Sequence, residues 1–168
     1  ASGTADGSIT DGRTLDNSTP GNDGTLTAGA VALPAQGRVL STLEPGPAPG
    51  AGHHRLRLVV SQSRAPQLVK DVAALIGAEL VPWGSAGAKV ATVVTGETDA
   101  YLHAGGFYEW DTAAPVAVAT AAGFHVSRID GSPVSYNRDD PLLPDILVCR
   151  PAIAGRLLEA IREVTHGN

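Results

Sequence analysis

Between residues 55 and 164 the chain alternates short apolar runs with amphipathic ones, and a glycine closes most of the latter; no other feature limits the possible fold so strongly. Arg55 to Ser61 (RLRLVVS) reads as a strand, and Pro66 to Ile76 as a helix with Leu68, Val69, Val72, Leu75 and Ile76 on one face, closed by Gly77. Glu79 to Trp83 is a second strand. Ala86 to Thr95 is a helix with Val90, Val93 and Val94 inward, stopped by Gly96. Asp99 to His103 is a strand, Asp111 to Ala122 an Ala-rich helix opened by an acidic cap and closed by Gly123, and Phe124 to Ile129 and Asp145 to Cys149 further strands. Ala152 to Val164 carries Ile153, Leu157, Leu158, Ile161 and Val164 on one stripe. Strand–helix alternation of this kind predicts an α/β fold, a mixed sheet sandwiched by helices on both faces.

The sequence before this block has another character. Residues 1–27 are almost all Gly, Ser, Thr, Asp and Asn, too polar to bury a core, and are expected to be loop or disordered. Residues 28–44 hold two apolar runs, Ala28 to Leu33 and Arg38 to Thr42, around Pro34-Ala-Gln-Gly37, the pattern of a β-hairpin. Residues 45–54 form a linker: the nine residues from Glu44 to Gly52 include three prolines and three glycines. A domain boundary is expected there, with residues 55–168 as an α/β domain. The chain opens on Ala1 rather than Met, so truncation or excision is expected.

Composition narrows the function classes. A chain of 168 residues buries about 70% of its extended surface and needs no staples. Its single cysteine, Cys149, excludes a disulfide framework and reads as a small core residue. A net charge of −5 leaves no broad basic surface for duplex nucleic acid, though a small anion needs only a local positive pocket. No apolar run approaches the roughly 20 residues of a membrane span, so a cytoplasmic protein is expected.

In an α/β sheet, ligands meet the carboxyl ends of strands and the helix N-termini that face them. Three junctions therefore hold the candidates. After the first strand come Ser61, Ser63 and Arg64, two hydroxyls and a guanidinium able to converge on an anion; alternatively Ser63 caps the helix and Arg64 is solvated. After the second, Gly84 and Ser85 let backbone approach a ligand closely and Lys89 follows one turn on, unless Lys89 is simply a surface residue. At the third stand Glu109 and Asp111. A carboxylate is the hard oxygen ligand Mg²⁺ prefers, while spacing alone favours Asp111 as a plain N-cap. His103, ending its strand, either contacts an anionic ligand or is satisfied by a carbonyl. His53-His54, in the linker, suggests incidental metal affinity only.

Taken together these strings resemble a known family. Gly84-Ser-Ala-Gly-Ala-Lys89, Val90-Ala-Thr-Val-Val-Thr-Gly96, Asp99-Ala-Tyr101 and Glu109-Trp-Asp-Thr-Ala-Ala114 are similar to the carboxyl-terminal signature of the inositol monophosphatase superfamily. The Glu-Trp-Asp-Thr-Ala-Ala wording, Lys89 and Val60-Ser-Gln-Ser-Arg64 resemble its CysQ branch, the 3′(2′),5′-bisphosphate nucleotidases. Tyr101-Leu-His-Ala-Gly-Gly106 and Asp130-Gly-Ser-Pro133 look actinobacterial. The likeness covers roughly residues 28–164. It implies the second domain of an αβαβα sandwich plus a hairpin left from the first sheet, and a Mg²⁺-dependent phosphatase that removes the 3′-phosphate of 3′-phosphoadenosine 5′-phosphate in sulfate assimilation. It also implies Asp111 as the catalytic metal ligand. Ser61, Ser63, Arg64, Gly84, Ser85 and Lys89 would line the substrate, with His103 and Glu109 flanking the pocket. The inositol-specific branch carries a carboxylate seven residues before the aspartate of Trp-Asp; Ala104 stands there, against inositol phosphate as main substrate.

The family's other metal ligands, an amino-terminal Glu-Glu region and Asp-Pro-Ile/Leu-Asp-Gly-Thr, do not occur; Asn22-Asp-Gly-Thr25 is read as a chance echo. The chain is thus expected to be the carboxyl-terminal half, inactive or nearly so alone, with its hairpin edges awaiting the missing half or a second copy. Two other readings are a non-catalytic phosphate- or nucleotide-binding module and an inositol monophosphatase-like enzyme. A cleaved enzyme whose first half is a separate chain is a further form of the leading reading.

Overall fold

Pro34 and Gly37 make the first chain reversal possible. The computed structural model describes residues 24–63 and 65–167; residues 1–23 and Arg64, with the expectations that fall on them, lie outside these. β1 (Ala30–Leu33) and β2 (Arg38–Ser41) are antiparallel, joined by a 3₁₀ turn over Pro34–Gln36 that ends at Gly37 in the left-handed conformation, φ 60°. Then follow β3 (Arg57–Ser61), α1 (Gln67–Ile76), β4 (Glu79–Trp83), α2 (Ala86–Val94), β5 (Ala100–Tyr108), α3 (Ala113–Ala121), β6 (His125–Ser127), β7 (Leu142–Cys149) and α4 (Pro151–His166).

β3 to β7 form one mixed sheet in the order β4-β3-β5-β7-β6, with β3 parallel to β4 and β5, and β7 antiparallel to both its neighbours. Strand periodicity sorts the side chains onto two cores. Leu58, Val60, Ala100, Leu102, Leu147 and Cys149 point to the face covered by α1 and α4. Val59, Tyr101, Ile146 and Val148 point to the face covered by α2 and α3. Burial pushes the Cys149 thiol up to about 12, so it is an inert core group.

The second face carries a further layer. Val31 and Leu40 of the hairpin are buried in the same core as Val90, Val93, Val116 and Val118, so α2 and α3 lie between the hairpin and the sheet. Accordingly every residue of α2 from Gly87 to Val94 is buried, as is α3 from Ala113 to Ala119. The approach is close: a Cβ on Gly29 would come within 2.8 Å of the Ala114 carbonyl oxygen. Neither hairpin strand has a second strand partner among the described residues, where no helix is long and apolar enough to cross a membrane.

Four sequence expectations are corrected. Leu75 is 46% exposed because it stands roughly 120° round α1 from Val69, away from Val72 and Ala73. The strand expected to end at His103 runs on to Tyr108: Gly105 and Gly106, at φ 131° and 81°, make a bulge rather than a stop. β7 begins at Leu142, not Asp145. Its Pro144 falls where the β5 register shifts and before β6 begins to pair at Leu147, so no ladder bond is lost. Finally, Asp111 does not cap α3. Glu109–Asp111 form a 3₁₀ turn, and Thr112 precedes the helix.

Candidate active site

The sheet order reverses between β3 and β5, since β3 leads out to β4 at the edge and α2 returns the chain to the other side of β3. Such a switch point opens a crevice at the strands' carboxyl ends. The three sequence junctions flank it. Ser61 ends β3 opposite Trp83 of β4, and the Gln62 N–H donates to the Trp83 carbonyl at 3.0 Å, which ties the first loop to the second. Ser61 Oγ and Ser63 Oγ lie 3.4 Å apart, half-buried and exposed respectively. Arg64 lies outside the described residues.

Gly84 and Ser85 are exposed at the start of α2, where Ser85 Oγ accepts from the Ala88 N–H at 3.3 Å as an N-cap. Lys89 is not the surface residue its type suggests. It is 5% exposed, its Nζ donates to the Gly84 carbonyl at 2.5 Å, and the ammonium sits 5.4 Å from the Tyr101 ring centroid. Burial holds its pKa below the usual lysine range.

Tyr101 is the hub that sequence reading quoted in a motif without giving it a role. Its pKa is raised first by burial and then by the charge of Asp111, and the Lys89 ammonium overlies its ring. His103, two residues on and on the same face of β5, stacks edge-on to Phe107 at 5.0 Å and lies 6.1 Å from Tyr101. Burial lowers its pKa and the Lys89 charge adds to this, while its bond to Gly106 and the Asp145 charge oppose it. The net direction favours a neutral imidazole. Ser61 and His103 each stand two residues beyond the paired positions Val59 and Tyr101, past the end of the β3–β5 ladder.

Asp111 is exposed, with Oδ2 accepting from the Tyr108 N–H at 3.1 Å. Glu109 is turned elsewhere: its carboxylate accepts from the Asn137 N–H at 2.8 Å and the Arg138 N–H at 3.2 Å, and so fastens the 137–138 turn. The structure thus brings Lys89 and His103 to Tyr101, sets Gly84 and Ser85 at the start of α2 and Ser61 and Ser63 on the adjoining loop, leaves Asp111 exposed beyond β5, and gives Glu109 a different task. Among the described residues no group of three or more His, Cys, Asp or Glu is arranged to hold a metal. A cavity of about 530 Å³ between residues 24–27, α3 and residues 133–136 includes none of these side chains.

The family model described as "Inositol monophosphatase family" matches residues 22–166. The chain belongs to the inositol monophosphatase family. Among curated relatives it is 49% identical over 142 residues to the 3′-phosphoadenosine 5′-phosphate phosphatase of Mycobacterium leprae, and 48% over 141 residues to that of Mycobacterium bovis. These alignments cover 83% and 82% of this chain but 52% and 53% of the relatives, so the chain spans about half their length. These relatives make the likeness CysQ-type. A crystal structure of inositol monophosphatase II from Staphylococcus aureus superposes with a TM-score of 0.67 at 17% identity, covering 86% of this chain and 58% of that one, which shows the shared fold.

A second polar cluster escaped sequence reading. Asp99 is fully buried, and its carboxylate accepts from Arg57 N–H at 2.8 Å, His53 N–H at 3.1 Å and Arg150 Nε at 3.0 Å, with His53 Nδ1 at 3.1 Å. Arg150 also donates to the Ala51 carbonyl at 2.8 Å, and Gly52, at φ 81°, leaves room for its guanidinium. His53 is therefore part of a latch between residues 50–53 and the sheet rather than a stray metal binder. Its partner Asp99 lies 46 positions away, and no local motif announces the pair.

Proposed function

We propose that this chain carries the phosphate-binding half of a Mg²⁺-dependent phosphatase that removes the 3′-phosphate of 3′-phosphoadenosine 5′-phosphate to give AMP. One observation carries the reading: the buried Lys89 ammonium is fixed on the Gly84 carbonyl at the start of α2, next to the loop of Ser61 and Ser63 at the sheet's switch point, with Asp111 exposed just beyond β5. That arrangement suits a phosphoester held between cationic and metal-binding sides.

Ser61, Ser63 and the Gly84–Ser85 backbone supply donors to phosphate oxygens, and α2 adds the positive end of its dipole. Lys89, fixed on the Gly84 carbonyl, gives a charge whose strength benefits from its burial. His103 contributes a neutral ring nitrogen rather than a charge. Arg64, by resemblance, would join the same anion site.

Asp111 is the group for the metal: a hard oxygen donor, oriented by the Tyr108 N–H, matching the carboxylate chemistry Mg²⁺ prefers. When bound, Mg²⁺ would activate a water for in-line attack and stabilise the leaving oxygen. One carboxylate does not complete its coordination, so the remaining protein ligands are assigned to an amino-terminal complement or to a second copy of the chain. The substrate class fits a cytoplasmic enzyme of sulfate assimilation.

Measuring phosphate release from 3′-phosphoadenosine 5′-phosphate, fructose bisphosphate and inositol phosphate, using the complete gene product with and without Mg²⁺, tests this. Preference for the bisphosphate nucleotide, only with Mg²⁺, is the expected result; preference for inositol phosphate would overturn it. Tight nucleotide binding without any hydrolysis would instead favour the non-catalytic binding module, a reading supported by the absence, among the described residues, of a group of three or more His, Cys, Asp or Glu arranged to hold a metal.

A further inference from the structure

We propose that Tyr108 and Trp110 form the platform on which the base of the substrate lies, and that they select nucleoside phosphates over polyol phosphates. The inference rests on the phosphatase reading above and deepens it.

The chain has seven aromatic side chains of the Phe, Tyr and Trp types. Tyr101, Phe124 and Tyr136 are buried, and Trp83 and Phe107 pack against the core. Tyr108 and Trp110 differ: their rings stack on each other at 4.5 Å between centroids and 9° between planes, yet they are 48% and 64% exposed. Leu142, the cross-strand partner of Tyr108, is 45% exposed beside them. Much of an ordered aromatic surface therefore stays in water, which marks a contact surface.

Location decides what it contacts. Trp110 immediately precedes Asp111, and the Tyr108 N–H holds the Asp111 carboxylate. With Asp111 as the metal ligand, a phosphoester held there would bring its organic part toward these rings. A polyol would press hydroxyls onto an apolar face that offers them no partners, whereas a base has its own π-face and stacks with little regard to its identity.

The platform is also rigid. Tyr108 is paired to Leu142 in the sheet, the Glu109 N–H donates to the Pro141 carbonyl at 2.9 Å, and the Glu109 carboxylate is held by the Asn137 and Arg138 N–H groups. Glu109, flanking the pocket in the sequence reading, thus acts as a positioning residue for the stack. Pre-ordered rings lose little freedom when a base arrives.

The test is steady-state kinetics of the complete gene product on 3′-phosphoadenosine 5′-phosphate and on a methyl riboside 3,5-bisphosphate, which lacks the base. In Trp110→Ala the KM for the nucleotide should rise about ten- to a hundredfold, the range of base–aromatic stacking. The KM for the baseless substrate should stay within about twofold, and Trp110→Phe should recover most of the loss. As a measurement independent of turnover, AMP should quench part of the wild-type tryptophan emission that is absent from Trp110→Phe, and the baseless ligand should not. Equal losses on both substrates would overturn the proposal, because the pair would then serve Asp111 or the seating of an amino-terminal complement. An unchanged nucleotide KM, or no quenching, would also overturn it. If wild type itself shows no preference for the nucleotide, the nucleotidase reading fails and the platform with it. If wild type prefers the nucleotide and the variants keep that preference, the platform alone fails.

Discussion

A lysine removed from water is the most consequential residue in the site after Asp111. Lys89→Met keeps the apolar stem and deletes a charge-assisted contact, so bisphosphate affinity should fall about 10- to 100-fold while a monophosphate loses far less. Equal losses, measured by competition binding, would count against a role in holding the second phosphate. The pH dependence has a definite sign. Burial lowers the Lys89 pKa, so over the window between the lowered value and the usual lysine range the unfolded chain binds the additional proton. Stability contributed by this residue therefore rises with pH across that window. Bisphosphate affinity should move the other way and weaken as pH climbs through the lowered Lys89 value, a trend that Lys89→Met should flatten. Lys89 also shows where sequence is silent: its position in the motif is readable, but its burial comes from lying over Tyr101 of β5 and against the Gly84 carbonyl, which no local pattern reports.

Two devices hold the elements around the site. Leu40 anchors the hairpin onto α2 and α3, so Leu40→Ala should cost about 2–5 kcal/mol in chemical denaturation and loosen the start of α2. A change within a few tenths of a kcal/mol would mean that the hairpin is not docked. The second device is the buried Asp99–Arg150 pair. Burial opposes ionisation of Asp99, yet bonds from the Arg57 and His53 N–H groups and the His53 ring outweigh it and hold its pKa below the usual carboxylate range. The stability it supplies is present above the ordinary carboxylate pKa and lost as pH falls through the lowered one. Arg150→Met, which leaves the buried carboxylate without its guanidinium partner and with only the Arg57 and His53 bonds, should be destabilising by about 3 kcal/mol at neutral pH and lose that penalty in acid. Most elements were legible from periodicity: α1, β3 and α4 follow from their apolar spacing and stops. Gly105-Gly106 and Pro144 misled because a bulge and an irregular ladder position use the same residues as a terminus. The Asp99 latch was invisible because its members are scattered from residue 51 to residue 150.

At the scale of the molecule, the described chain has one complete sandwich of sheet and helices and one hairpin with no further strand beside it. The three loops of the crevice were legible because the family's strings sit on them, and the structure adds that Lys89 is buried over the Tyr101 ring. Among the described residues no group of three or more His, Cys, Asp or Glu is arranged to hold a metal. The 168-residue chain alone should therefore release no phosphate above background at any Mg²⁺ concentration, and turnover by it would show that the ligand set is complete within these residues. The role of Asp111 is tested most directly by titrating Mg²⁺ against phosphate release in the complete gene product and in its Asp111→Asn variant, a change that keeps the shape and removes the charge. The account predicts at least about a hundredfold loss of Mg²⁺-dependent turnover, with folding unchanged; near-normal turnover at the same Mg²⁺ concentration would contradict it.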